Sequence, residues 1–253
     1  MKIFCVANQK GGIGKTTTAT ALASILAKKN KVLLIDADPQ GNSSDTYRAK
    51  IKDQATLFDV ILDSDPIPLK DAIQTTEIGD IVASDPLLKE ADRRFPKDGN
   101  EYFILDDAIK GLKGYDYVVI DTAPADNLLL KNCLNASNYV IIPVTPDRYG
   151  IQGLADLNQT ISAQKQRNNP NLKIAGLLLV KYKANTNLAK GVKEALEGVA
   201  KDMKTKVFNT TIRESVKAQN AQAFRTTLIN YAPKSTTAQD YLQFVDELLK
   251  SLK

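Results

Sequence analysis

Histidine is missing from this chain altogether, and with it goes the commonest general base of hydrolytic enzymes. Any hydrolysis must then rely on positioned charge and on a carboxylate that orients water. Cysteine occurs only at Cys5 and Cys133. Two thiols exclude a disulfide framework, and both read as small buried hydrophobes, Cys5 inside an apolar run and Cys133 in a helical one. No apolar run approaches the roughly 18–20 residues of a membrane span, and the N-terminus lacks the pattern of a signal peptide, so the chain is expected in the cytoplasm. A linker rich in Gly, Ser or Pro, an internal repeat and a low-complexity tract are also missing, which predicts a single domain over residues 1–253. With 43% hydrophobic residues, a chain of 253 residues can bury a full core.

What is present is alternation. Strand-like apolar runs at residues 3–7, 32–35, 78–83, 117–120, 139–144, 174–180 and 207–211 are separated by helix-like stretches at 16–29, 102–113, 127–134, 151–167, 188–203 and 236–252. That order predicts an α/β fold, a doubly wound, mainly parallel sheet with helices on both faces. The least regular stretch, 43–100, holds short helical segments at 56–62 and 69–73 and Asp-Pro turns at Asp65-Pro66 and Asp85-Pro86. It reads as a lid or a partner-facing insertion.

The sharpest signal follows the first strand, where the chain reads Lys10-Gly11-Gly12-Ile13-Gly14-Lys15-Thr16-Thr17. Successive backbone N–H groups can wrap a polyphosphate only where no side chain blocks close approach, and the three glycines meet that need. Lys15 supplies a point charge to the β- and γ-phosphates, the Thr16 hydroxyl a ligand for Mg²⁺, and the following helix N-terminus faces the anion. The pattern G-x-x-x-x-G-K-[ST] is met except at its first glycine, which is Gln9. Two more strands end in carboxylates, at Asp36-Ala37-Asp38-Pro39-Gln40-Gly41-Asn42 and at Asp121-Thr122-Ala123-Pro124. A lone Asp at a strand end is usually a turn or cap residue, but two of them after a phosphate loop point to the ligand-binding edge of an open sheet.

The departure at Gln9 and the second lysine, Lys10, match the deviant Walker A motif K-G-G-x-G-K-[ST]-T. Together with Val140-Ile141-Ile142-Pro143-Val144 and Tyr231-Ala232-Pro233-Lys234-Ser235, these segments make the chain resemble the chromosomal and small-plasmid ParA (Soj-like) ATPases over nearly its whole length. The resemblance implies a P-loop NTPase that binds ATP and Mg²⁺ through Gly11, Gly12, Ile13, Gly14, Lys15, Thr16 and Thr17, with Thr16 and Asp121 at the metal, Asp121 directly or through water. It implies Asp38 as the water-orienting switch carboxylate. Lys10 would cross a dimer interface to the partner's nucleotide, so the catalytic set is Lys10, Lys15 and Asp38. It further implies an ATP-dependent homodimer on nonspecific double-stranded DNA in the nucleoid, slow hydrolysis, and a ParB-like or ribbon-helix-helix centromere-binding partner. Val180-Lys181 and Thr211-Ile212 are candidate neighbours of the adenine. Cys5, inside the first strand, is badly placed to serve a cluster as in the related nitrogenase iron proteins.

Charge is uneven. Residues 1–150 carry 18 Lys and Arg against 21 Asp and Glu, whereas 151–253 carry 16 against 8. A basic excess of this kind suits counterion-releasing contacts with a phosphate backbone, although solvated basic helix faces are common. The expected DNA-binding set is Lys181, Lys183, Lys206, Arg213, Lys217 and Arg225. Related chains often carry an arginine where this one reads Lys183-Ala184-Asn185-Thr186, so nearby lysines would take that role. Lys10 stands too early for a preceding helix-turn-helix, and sequence-specific operator binding is not expected. Two alternatives share the scaffold. A MinD-like membrane switch would use the stripe Tyr241, Leu242, Phe244, Val245, Leu248, Leu249 and Leu252 in lipid, but that stripe reads as core packing, with no membrane partner. A ligase of the dethiobiotin synthetase type would need a substrate pocket that no residue set announces.

Overall fold

The computed structural model describes residues 1–147, 151, 153–183 and 187–252, without the side chains of 187–190. Ala184, Asn185 and Thr186, and part of the first turn expected at 151–167, lie outside the described residues. Seven strands form one sheet among those described: β1 (Lys2–Val6), β2 (Val32–Ala37), β3 (Ile73–Thr75), β4 (Asp80–Val82), β5 (Tyr117–Thr122), β6 (Tyr139–Val144) and β7 (Lys173–Leu179). Their order is β3-β4-β2-β5-β1-β6-β7. All neighbours run parallel except β3 and β4.

Helices cover both faces because the strands are apolar on both. Ile3 and Cys5 of β1 and Leu33 and Ile35 of β2 join one buried cluster, while Phe4, Val6, Val32 and Leu34 join another, the alternation that the strand period demands. The second face carries α1 (Lys15–Leu26), the helix after the phosphate loop. The short α2 (Asn42–Thr46) follows β2. The first face carries α3 (Leu57–Ile61), α4 (Ala91–Arg94), α5 (Ile104–Lys110), α6 (Leu128–Asn135) and α7 (Leu154–Arg167). Helix α8 (Asn187–Asp202) follows β7, and the chain ends with α9 (Val216–Ala223), α10 (Leu228–Tyr231) and α11 (Thr236–Ser251). Tyr241, Phe244, Val245 and Leu248 of α11 are buried on the face shared with α1, and the Thr18 hydroxyl meets the Tyr241 hydroxyl at 3.1 Å. The C-terminal stripe is therefore core. Cys5 and Cys133 are free and buried, as their neighbours predict.

Two expectations fail for physical reasons. Residues 207–211 are not a strand. Only Val207 bridges β7, at Leu177, and the Phe208 N–H still donates to the Leu177 carbonyl at 2.9 Å, but the following N–H groups, of Asn209 and Thr210, donate to the Glu247 carboxylate at 2.8 and 2.9 Å instead. The segment is drawn in tightly, since a Cβ on Gly176 would stand 2.6 Å from the Phe208 ring. The stretch 43–100 is not a lid either. Leu57, Phe58, Val60, Ile61, Leu69, Leu88 and Phe95 are buried in the main core, and the antiparallel edge strand β3 lies within it.

Candidate nucleotide site

The connection from β1 runs to β2 on one side and that from its neighbour β6 runs to β7 on the other, so a crevice is left at the C-terminal ends of β1 and β6. The loop 10–14 fills its rim. Gly14 caps α1 at φ 91°, a left-handed conformation that a side chain would strain. A cavity of about 460 Å³ opens above it, floored by Gly14, Lys15, Thr16 and Asp38 and walled across by Val180 and Ile212. Lys181 also lines it, whereas Thr211 does not. Gly11, Gly12, Ile13 and Thr17 complete the phosphate side. Each residue assigned to the phosphates thus converges on one cavity.

Lys15 is buried, and its Nζ donates to the Lys10 carbonyl at 3.0 Å. Burial pulls its pKa down while the charges of Asp121 and Asp38 push it back up. An amine held dry beside backbone N–H groups is a strong point of attachment for an incoming phosphate.

Asp36 and Asp121 stand opposite each other at the ends of β2 and β5, both fully buried. Burial raises both carboxyls, with the Asp121 charge adding to the rise at Asp36 and the Ser43 hydroxyl opposing it at Asp121. Ser43 Oγ donates to Asp121 Oδ2 at 2.8 Å, while Asp121 Oδ1 is buried with no hydrogen-bond partner. An orphaned carboxylate oxygen beside Thr16 and the phosphate loop fits Mg²⁺, which takes one or two protein oxygens and completes its shell with phosphate and water. No group of three or more His, Cys, Asp or Glu side chains suited to a metal occurs among the described residues. Asp38 is largely buried in the cavity floor, its Oδ1 accepting the Gln40 N–H at 2.9 Å.

Lys10 points elsewhere. Its Nζ meets both Asp147 carboxylate oxygens at 2.8 and 3.0 Å and the Thr145 hydroxyl at 3.3 Å, and Lys10 is not part of the cavity wall.

The six basic residues expected on a DNA surface are divided. Lys181 Nζ donates to the Gly12 carbonyl at 2.7 Å, beside the phosphate loop. Arg213 clasps the buried Asp240 through Nη2 at 2.6 Å and Nε at 2.9 Å and also borders the cavity. Lys183 pairs with Glu214 at 2.8 Å, Arg225 with Asp45 of α2 at 2.8 Å, and Lys206 lies 5.0 Å from the Phe208 ring centroid. Lys217, exposed on α9, has no ion-pair partner among the described residues.

Sequence reasoning missed Ser43, Ser44 and Ser84. Two adjacent hydroxyls in the turn after Asp38 were a usable signal for the first two; a single serine ending an apolar strand was not.

A family profile described as an AAA domain matches residues 1–174. The chain is 35% identical to the chromosome partitioning protein ParA of Myxococcus xanthus over 254 residues, 98% of this chain and 88% of that protein. It is also 35% identical to the sporulation initiation inhibitor protein Soj of Bacillus subtilis over 251 residues, 98% of both. Among solved structures, cobyrinic acid a,c-diamide synthase of Mycobacterium smegmatis with a bound ATP analogue and magnesium superposes with a TM-score of 0.83 at 29% identity, covering 99% of this chain and 95% of that one. Fold, cavity and profile together define a P-loop ATPase with ATP and Mg²⁺ as its cofactors. Within that class, the full-length relatives assign the chain to the ParA/Soj family of partition ATPases.

Proposed function

We propose that this protein is an ATP-driven dimerising switch that binds DNA without sequence preference and moves or positions a DNA cargo with a ParB-like partner, slow hydrolysis resetting it. The observation that carries the reading is the divergence of the two loop lysines. Lys15 turns into the cavity, whereas Lys10 turns outward to Asp147. A lysine so placed suits a role at a second subunit's nucleotide better than at its own.

The loop N–H groups and Lys15 hold the triphosphate, and Thr16 with Asp121 would hold Mg²⁺, which supplies charge neutralisation and phosphate orientation when bound. Asp38 accepts a hydrogen bond from water and aims its oxygen at the γ-phosphorus. The water oxygen bonds to that phosphorus as its bond to the β–γ bridging oxygen breaks, ADP leaves with the electron pair, and one water proton passes to a phosphate oxygen. Lys10 of the partner subunit neutralises charge that grows during transfer. Without histidine, rate depends on alignment, which fits a timer better than a high-turnover enzyme.

Burial of the α11 stripe favours this reading over a membrane switch. The test pairs two variants. Lys10→Ala is expected to bind ATP yet stay monomeric, and Asp38→Ala to bind ATP, dimerise and remain on DNA without hydrolysis. A normal ATP-dependent dimer of Lys10→Ala in size-exclusion chromatography would remove the shared-site reading, and loss of ATP binding in Asp38→Ala would make Asp38 a structural or metal residue.

A further inference from the structure

Asp38 is held by its main chain, on both sides of the residue. Its N–H donates to Asp36 Oδ1 at 3.2 Å. Its carbonyl accepts the Ser84 hydroxyl. The Ser84 N–H in turn donates to Ser44 Oγ at 2.8 Å, and the Ser44 N–H and hydroxyl both donate to Asp36 Oδ2 at 2.7 Å. The chain of bonds closes on itself, Asp36 to Ser44 to Ser84 to Asp38 and back to Asp36. It ties together the end of β2, the first turn of α2 and the residues just after β4, which are otherwise separate segments.

Every member is buried, with exposures of 0% for Asp36 and Ser84, 1% for Ser44 and 6% for Asp38. Hydrogen bonds without competing water are the ones that fix geometry. The Gly41 N–H adds a second donor to the Asp38 carbonyl at 2.8 Å, so the peptide after Asp38 is gripped from the α2 side and from the β4 side at once. Meanwhile the Asp38 carboxylate makes one bond, to the Gln40 N–H through Oδ1, and lies on the cavity wall. The arrangement immobilises the backbone and leaves the reactive end available.

We infer that Ser84 and Ser44 are positioning residues for ATP hydrolysis: they set the placement of the Asp38 carboxylate through its backbone while touching neither nucleotide nor water. The inference rests on the reading of Asp38 as the water-orienting group. A misplacement of about 1 Å in such a group costs on the order of 100-fold in rate, so the loss of one hydroxyl from the ring should appear in kcat and not in binding.

The experiment compares Ser84→Ala, Ser44→Ala and Ser44→Thr with the unaltered protein, measuring kcat, the Kd for a nonhydrolysable ATP analogue, ATP-dependent dimerisation and Tm. Ser84→Ala and Ser44→Ala are expected to lower kcat by roughly 10- to 100-fold, with analogue affinity and dimerisation within about twofold. Ser44→Thr keeps its hydroxyl and should retain most of the rate. A Ser84→Ala protein with unchanged kcat overturns the inference. So does a kcat loss matched by lost analogue binding. Should Ser84→Ala not fold, an equal kcat for Ser44→Ala and Ser44→Thr overturns it as well. If instead Asp38→Ala hydrolyses ATP at the normal rate, the Asp38 reading itself falls, an outcome distinct from any result at Ser84.

Discussion

The phosphate side of the crevice and the basic C-terminal segment differ in how their charges are held. At the first, Lys15, Asp36, Asp38 and Asp121 are buried and sit at strand ends or the first helical turn, and Lys15 and Asp38 line one cavity. At the second, three of the six cations assigned to DNA have found carboxylate partners in the protein: Glu214 for Lys183, Asp240 for Arg213 and Asp45 for Arg225. Arg225 and Arg48 both adopt left-handed backbone at φ 50° and 56°, and the Arg48 Nε donates to the Arg225 carbonyl at 3.2 Å, so Arg225 braces α2 to the turn after α9. A motif built on glycines and buried carboxylates transmits its meaning through backbone geometry. A count of lysines and arginines does not, because long side chains choose counter-ions only after the fold exists.

The comparison breaks most visibly at Lys15. If the buried amine carries the phosphate attachment, Lys15→Ala loses tight ATP binding by about 100-fold or more, the scale of a charge-assisted contact made in a dry site. Calorimetry with an ATP analogue and Mg²⁺ checks this. A protein that still binds within tenfold would mean that the loop N–H groups suffice alone.

The basic segment is sharpened by separating residues that charge counting lumped together. Lys217→Glu is expected to weaken binding to random-sequence duplex and to lower the slope of log affinity against log salt by about 0.9 for each phosphate contact removed. ATP-driven dimerisation should survive. Arg213→Glu should behave in the opposite way: it leaves Asp240 buried beside a second carboxylate and disturbs the cavity wall, so Tm and nucleotide affinity fall first. Fluorescence anisotropy over a salt series, with thermal melts of both variants, distinguishes the two patterns. A Lys217→Glu protein with unchanged affinity and slope would remove α9 from the DNA surface.

Legibility follows the same division. Six of the seven strand-like runs are strands of the sheet, because buried parallel strands are written as continuous apolar runs. Lys15, Thr16 and Asp38 meet at one cavity, as the spelling of the glycine loop and a strand-end carboxylate after it suggest. In the stretch 43–100 the short helical segments at 56–62 and 69–73 were legible and stand at Leu57–Ile61 and Leu69–Ala72, but the lid reading failed, since elements of four or five residues bury Leu57, Phe58 and Leu88 without a long period to announce a core. The hydroxyl ring around Asp38 was invisible for a different reason: its members lie 40 and 46 residues apart across the Ser44–Ser84 and Asp38–Ser84 bonds, and no local pattern encodes such a meeting.

The smallest expected effect lies at the segment that failed to become a strand. Glu247 on α11 accepts the N–H groups of Asn209 and Thr210 and the Thr210 hydroxyl at 2.8 Å. Burial pulls the Glu247 carboxyl up, but these three donors outweigh it and leave its pKa below the usual value of 4.5. A carboxyl depressed in the folded state stabilises the fold above its unfolded pKa, and that contribution is lost as pH falls through the folded pKa. Glu247→Gln keeps the shape and removes the charge. Discounted for partial exposure, the cost is about 1 kcal/mol at pH 7, or roughly 2–4 °C in Tm for a chain of this size. The gap between the two proteins should then close as pH drops below 4.5, where the unaltered carboxyl also becomes neutral. Melts of both proteins from pH 7 downward test this directly. A gap that stays constant with pH would mean that the 209–210 segment is held by shape and not by the Glu247 charge.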